Sequence, residues 1–381
     1  MTTATSSTHS HGKVDVDAET GPSRLLVNYP NLVFWRRDIA IIMHRQDVIR
    51  LLRRLLGTSH ILDRLDRIEL RFSQLADNRA TGTDTAGLLS GAARLEILQG
   101  TPYSKYATPI EYPPSRDFQP RWGYAQPCIP SLHEWFAEFL DDYRNLLTEM
   151  SANMADLADI PRDFDERNLP RPAWCGVPYS PFDGAALYTI IKKFKPRRYH
   201  EIGSGISTCF AYKAISEHCP GATITSIDPE PRAAIDAICT RVIRDGLETC
   251  DLEIFDELEA NDILFFDGSH RTFMNSDVTV FMIDVLPRLK PGVLIHVHDI
   301  FLPYDYPDSF KHWYWNEQYI LAVYLMNARH RIKPVFPTNF VCREPSFARW
   351  FRTPLIDLGG ANDGWLGGGA MWFTHSLDRS A

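Results

Sequence analysis

The chain has 381 residues, enough for two domains or for one large domain with an extension, and its composition is that of an ordinary soluble enzyme. A formal net charge of -8 leaves no broad basic surface for neutralising phosphates, which argues against nucleic acid as a partner. The seven cysteines are scattered and never form a C-x-x-C pair, so reduced thiols in a cytoplasmic protein are expected rather than a disulfide framework or structural zinc.

Residues 1–24 are polar, rich in Thr, Ser and His, and lack the apolar core of a signal peptide, so they read as a disordered tail. No apolar run approaches the ~20 residues of a membrane span. Residues 25–160 read as a mainly helical region. From 31 to 56, Leu32, Val33, Ile39, Ile42, Met43, Val48, Leu52 and Leu55 recur at roughly helical spacing among arginines, which predicts an amphipathic helix or helix pair. Ile61, Leu65, Ile68, Phe72 and Leu75 then follow the alternating four- and three-residue steps of a coiled-coil seam. That stripe suits a homodimer contact through the N-terminal helices, and equally a cover over the chain's own catalytic domain. Ser131 and Glu134 match a capping box, and Leu132, Trp135, Phe139, Leu146 and Met150 continue one apolar face, predicting a long helix. The Pro-rich stretch 161–181 reads as a connector and the domain boundary.

From 182 to 381 short apolar runs alternate with helical ones. Strands are expected at 199–202, 222–227, 252–255, 263–266 and 293–297, and helices at 182–194, 207–217, 232–244, 277–289 and 315–328. Such alternation specifies a parallel sheet covered on both faces. Two late strands, 332–336 and 370–374, are separated by a long excursion of the kind that forms binding loops.

The first of these strands runs through Glu201 into Gly203-Ser204-Gly205-Ile206-Ser207-Thr208, where glycines let the backbone approach a ligand as a helix begins. The next strand ends at Asp228, where a carboxylate can accept both hydroxyls of a ribose. Those features alone suit NAD nearly as well as S-adenosylmethionine. However, Thr208 stands where a dinucleotide fold has its third glycine, and S-adenosylmethionine has no pyrophosphate to accommodate. A later strand delivers Asp267-Gly268-Ser269-His270 to the sheet's carboxyl edge, where open α/β sheets bind ligands. Another delivers His296-Val297-His298-Asp299, with period-two alternation putting both histidines on one face and Asp299 on the other. An imidazole of ordinary pKa, about 6.5, can take a proton from a hydroxyl at neutral pH.

Glu-Ile-Gly-Ser-Gly-x-Ser-Thr, Asp-Gly-Ser-His, Leu-Lys-Pro-Gly-Val-Leu-Ile-His-Val-His-Asp-Ile-Phe-Leu-Pro-Tyr-Asp-Tyr-Pro and the run Trp315-Asn316-Glu317-Gln318-Tyr319 resemble the class I S-adenosylmethionine-dependent methyltransferases of the type 24 group. The resemblance implies a Rossmann-like α/β fold with seven strands, mostly parallel, in which 370–374 is antiparallel. It implies a cofactor set of Glu201, Gly203, Gly205 and Ser207 along the methionine part, with Ser204 and Thr208 in the same turn. Asp228 would lie on the ribose, and Asp267, Gly268, Ser269 and His270 beside the methyl donor. Some related O-methyltransferases hold a divalent metal at these two strand ends; the corresponding residues are Asp267, His298 and Asp299, a His/Asp set better suited to zinc, iron or manganese than to magnesium.

Methyl transfer to a small molecule is therefore expected, onto a hydroxyl or a carboxylate, with His270 or His298 as base held by Asp267 or Asp299 and without a required metal. Tyr304, Tyr306 and Trp315 are expected to line the acceptor. The alternatives are N-methylation, a nicotinamide-dependent oxidoreductase, and a non-catalytic cofactor-binding scaffold.

Overall fold

The computed structural model describes residues 31–36, 39–44, 118–123, 126–231, 233–311, 313–351 and 367–376. The chain divides into two compact units, Met1–Arg116 and Asp117–Ala381. In the first, β1 (Asn31–Arg36) and β2 (Ile39–His44) pair antiparallel with Arg36 opposite Ile39. This replaces the helix expected at the start of 31–56. The two runs, NLVFWR and IAIIMH, are dense in β-branched and aromatic residues, and in so short an apolar run helical and extended spacing are indistinguishable. The expected tail 1–24 and the seam at 61–75 with its dimer contact lie outside the described residues.

In the second unit, helices α1 (Pro130–Ala137) and α2 (Leu140–Ala152) take the place of the single long helix expected from Ser131. Pro130, with no N–H to satisfy, is the first helical residue, and Ser131 caps nothing: its hydroxyl lies 3.5 Å from the Met326 sulfur. Both helices bury Leu132, Phe136, Tyr143 and Leu147 in the same core as the sheet. The boundary therefore falls at 116/117, and the 161–181 stretch lies inside the unit instead of between domains.

Helix α3 (Pro181–Phe194) begins on a reciprocal cap, in which Ser180 Oγ accepts the Asp183 amide at 3.0 Å and donates to Asp183 Oδ2 at 2.7 Å. The elements that follow are β3 (Arg198–Ile202), α4 (Ile206–His218), β4 (Thr223–Ile227), β5 (Arg241–Ile243), β6 (Ile263–Phe266), α5 (Asp277–Val280), β7 (Leu294–His298), α6 (Glu317–Asn327), β8 (Ile332–Pro337), α7 (Thr338–Arg343), α8 (Ala348–Phe351) and β9 (Ala370–His375). Seven strands form one sheet in the order β5-β4-β3-β6-β7-β9-β8, with β9 antiparallel to both neighbours. Every side chain of β6 and β7 is buried, as in a sheet covered on both faces.

Three expectations change. The helix at 232–244 is a short 3-10 turn, Asp236–Ile238, followed by edge strand β5, because the β-branched pair Val242 and Ile243 extends alongside β4. The strand at 252–255 is a 3-10 helix, Leu252–Glu257, which starts where the Asp251 carboxylate accepts the Glu253 amide at 3.0 Å. The helix at 277–289 widens into a π turn at Phe281–Val285 and ends in a 3-10 turn containing Pro287, whose missing N–H stops the α ladder. Among the described residues, no helix is long and apolar enough to cross a membrane.

Candidate active site

The order β4-β3-β6 brings three loops together at one end of the sheet. The Gly203 amide donates to Ile227 O at 3.1 Å, and the Asp267 amide to Ile202 O at 2.9 Å. Gly203 has φ +79, and a Cβ built there would stand 1.7 Å from Asp267 O. Only glycine fits that left-handed, crowded position. The Ser204 amide donates to Asp228 Oδ2 at 2.8 Å and the Glu230 amide to Oδ1 at 2.7 Å, fixing the carboxylate beside the turn. The Gly205 amide donates to Thr208 Oγ1 at 3.0 Å at the start of α4, and Ser207 Oγ donates to Glu201 Oε1. Glu201 is fully buried, and burial raises its carboxyl to about 8. The glycine bend and the Asp228 carboxylate thus share one edge of the sheet.

Next to this turn is a cluster of acids and imidazoles. Asp267 Oδ1 lies 3.6 Å from His270 Nε2 and 3.8 Å from His298 Nδ1. Asp299 lies 3.5 Å from His270 Nε2 through Oδ2 and 3.7 Å from His298 Nδ1 through Oδ1. Asp299 has φ +53, so the chain turns at the strand end and the carboxylate meets His298, contrary to the opposite faces that alternation alone predicts. His270, with φ +62, is also left-handed; two such non-glycine residues in one site are stored backbone strain. His296 shares a face with His298, as expected, but it stacks on Phe265 at 3.8 Å inside the core.

Two carboxylates that the sequence reading gave no role complete the cluster. Glu317, fully buried in the first turn of α6, bonds His270 Nδ1 at 2.5 Å. Asp183, in the first turn of α3, accepts the Gly369 amide at 2.9 Å and lies 3.9 Å from His298 Nε2. Each is an ordinary first-turn acid in sequence, and nothing local signals a histidine 47 or 115 residues away. Burial opposes protonation of both histidines, yet the surrounding carboxylates win. His270 is raised to about 9, chiefly by Glu317, and His298 to about 10 by Asp299, Asp267 and Asp183. The ordinary imidazole assumed from the sequence is therefore not what the fold provides.

Asp267, His298 and Asp299 each offer a ligand atom within 4.8 Å of the others, a geometry that can close around a cation. Ser269 gives its amide and hydroxyl to Asp277 at 2.6 and 2.5 Å, and Gly268 packs against the same carboxylate. Both brace the loop that carries His270. Of the expected acceptor contacts, Trp315 covers the His270 ring at 3.9 Å and Tyr306 meets Trp315 edge-on at 6.1 Å. Tyr304 instead packs on Gly123 and beneath the Arg343 guanidinium.

Residues 200–300 match the family model for a methyltransferase domain, type 24. No curated protein matches the chain. The matched segment runs from β3 through the glycine turn, Asp228 and Asp267 to Ile300, just past β7. The sheet order above is that of a Rossmann-like methyltransferase fold, and residues 200–300 are similar to the type 24 family of class I S-adenosylmethionine-dependent methyltransferases.

Proposed function

We propose that the protein transfers a methyl group from S-adenosylmethionine to a hydroxyl of a small molecule. The single observation that supports this reading is the contact of the two halves of the site at Gly203 and Asp267, which sets the cofactor cradle directly beside two acid-backed imidazoles. S-adenosylmethionine supplies an electrophilic methyl on a positively charged sulfur. Glu201, Ser204, Gly205, Ser207, Thr208 and Asp228 would hold it, and Asp267 to His270 would face the methyl. Positioning and exclusion of water supply much of the rate in such a displacement.

Four acidic side chains, from Asp183, Asp267, Asp299 and Glu317, face two imidazoles, so acids outnumber bases in the site. A neutral hydroxyl suits that field better than a carboxylate acceptor does. Asp267 and Asp299, once shared with the positive charge of a bound sulfonium, hold a histidine proton less tightly, which frees an imidazole to act as base. A second reading is favoured by the convergence of Asp267, His298 and Asp299, which would hold a divalent cation that orients the acceptor oxygen. The test is a panel of phenols, polyols and amines with methyl-labelled S-adenosylmethionine, with and without chelator. A mass gain of one methyl on a hydroxyl, insensitive to chelator, supports the base reading. Loss of transfer with chelator supports the metal reading. Binding of NAD in preference to S-adenosylmethionine, or no transfer to any acceptor, sinks both.

A further inference from the structure

We propose that His270, rather than His298, takes the proton from the acceptor hydroxyl, and that Glu317 is the residue that positions it. The inference rests on the methyl-transfer reading above. Of the two rings, His270 alone has a nitrogen anchored by a hydrogen bond: Nδ1 sits 2.5 Å from Glu317 Oε1, between two buried side chains. The nearest carboxylate oxygens to His298 are 3.7 to 3.9 Å away, and neither of its nitrogens has a hydrogen-bond partner among the described residues. With Nδ1 donating to Glu317, the reactive nitrogen is Nε2, which carries a lone pair only in the deprotonated fraction of a ring raised to about 9. That atom faces Asp267 and Asp299 at 3.6 and 3.5 Å, beyond hydrogen-bond length but within reach of an oxygen placed between them. A tautomer fixed in this way is what an aligned base requires.

The loop carrying His270 is tied to the start of α6 as if for this purpose. The Asn316 amide donates to His270 O at 3.0 Å, the Thr272 amide to Asn316 Oδ1 at 2.7 Å, and Arg271 Nη2 to Trp313 O at 2.9 Å. The Trp315 ring, 3.9 Å away, limits rotation of the imidazole. These contacts offset the left-handed φ of His270, and they place the ring on the buried acid. His298 is instead one of three side chains, with Asp267 and Asp299, whose potential ligand atoms lie within 4.8 Å of one another.

In the step itself, the acceptor oxygen gains the methyl and the C–S electron pair stays on sulfur. The hydroxyl proton passes to Nε2 of His270, and the imidazolium that results is stabilised by Glu317 until the proton leaves to solvent. Glu317 touches neither reactant, so it is a positioning residue.

The test combines a spectrum with kinetics. In protein labelled with 15N-histidine, wild type and His298→Asn should share a far-downfield proton on one imidazole Nδ1. His270→Gln should abolish that signal, and Glu317→Gln should move it upfield. On any phenol or polyol the wild type methylates, Glu317→Gln should lower kcat by about 10- to 100-fold, with acceptor KM and S-adenosylmethionine affinity changed less than about threefold. His270→Gln should lower kcat at least as much. A wild-type spectrum lacking the downfield proton overturns the positioning role without any variant having to fold. Wild-type kcat in Glu317→Gln or His270→Gln overturns the proton step. A wild type that methylates no panel member sinks the methyl-transfer reading and the proton step with it, and the His270 signal then decides the positioning half by itself.

Discussion

Across the middle of the sheet, one row of paired residues runs Glu201, Phe265, His296, Trp372. In this row burial raises the Glu201 carboxyl to about 8 and drives the His296 imidazole far below the ordinary histidine value. Two residues beyond His296, at the carboxyl-end edge, His298 is just as buried but is raised to about 10 by Asp299, Asp267 and Asp183. The interior avoids charge by shifting its ionisable groups to neutrality, whereas the edge keeps its charges and balances them against one another. A group held charged out of water in this way is available for proton transfer or for cation binding. A neutral one in the core is packing.

Replacement by an apolar ring should break this contrast most visibly. His298→Phe leaves three carboxylates facing a group that cannot carry charge, and it should cost about 3–5 kcal/mol in denaturant unfolding. A loss below ~1 kcal/mol would mean that those acids are already neutral. Gly203→Ala comes next, since its Cβ would meet Asp267 O at 1.7 Å in a left-handed backbone. A cost of about 2–4 kcal/mol and loss of S-adenosylmethionine binding are expected, and unchanged binding by calorimetry would refute the tight turn.

Glu201→Gln sharpens the comparison through pH. The unfolded carboxyl ionises near 4.5 and the folded one only near 8, so the folded state binds the extra proton between those values. Wild-type stability from this group is therefore complete below about pH 4.5 and is lost as pH rises through 8, with a slope of up to ~1.4 kcal/mol per pH unit. The Gln variant should lack that component of the slope, and parallel stability curves from pH 5 to 8 would show that Glu201 is ionised throughout. The smallest effect belongs to His296→Phe. With Phe265 on one side and the edge of Trp372 at 4.6 Å on another, a phenyl ring of similar size should cost less than ~1.5 kcal/mol and leave catalysis intact. A large loss of activity would move His296 into the site.

Much of this molecule is written locally. The apolar runs of β3, β4, β6 and β7, the helical spacing of α3 and α4, and the glycine turn with Asp228 after the next strand all follow from period and residue type, and they identify the sheet and the edge where its loops gather. Where local signals competed, the sequence was ambiguous: Val242 and Ile243 join the sheet edge, Asp251 caps a 3-10 turn, and the runs after Asn31 and Ile39 pair as strands. The partnerships of the site were decided only by tertiary structure. Glu317 reaches His270 across 47 residues, Asp183 meets His298 because α3 starts beside the end of β7, and Asp299 joins them through a left-handed turn. A side chain's charge state depends on what surrounds it once the chain has folded, and the periodicity of the sequence carries no record of those neighbours.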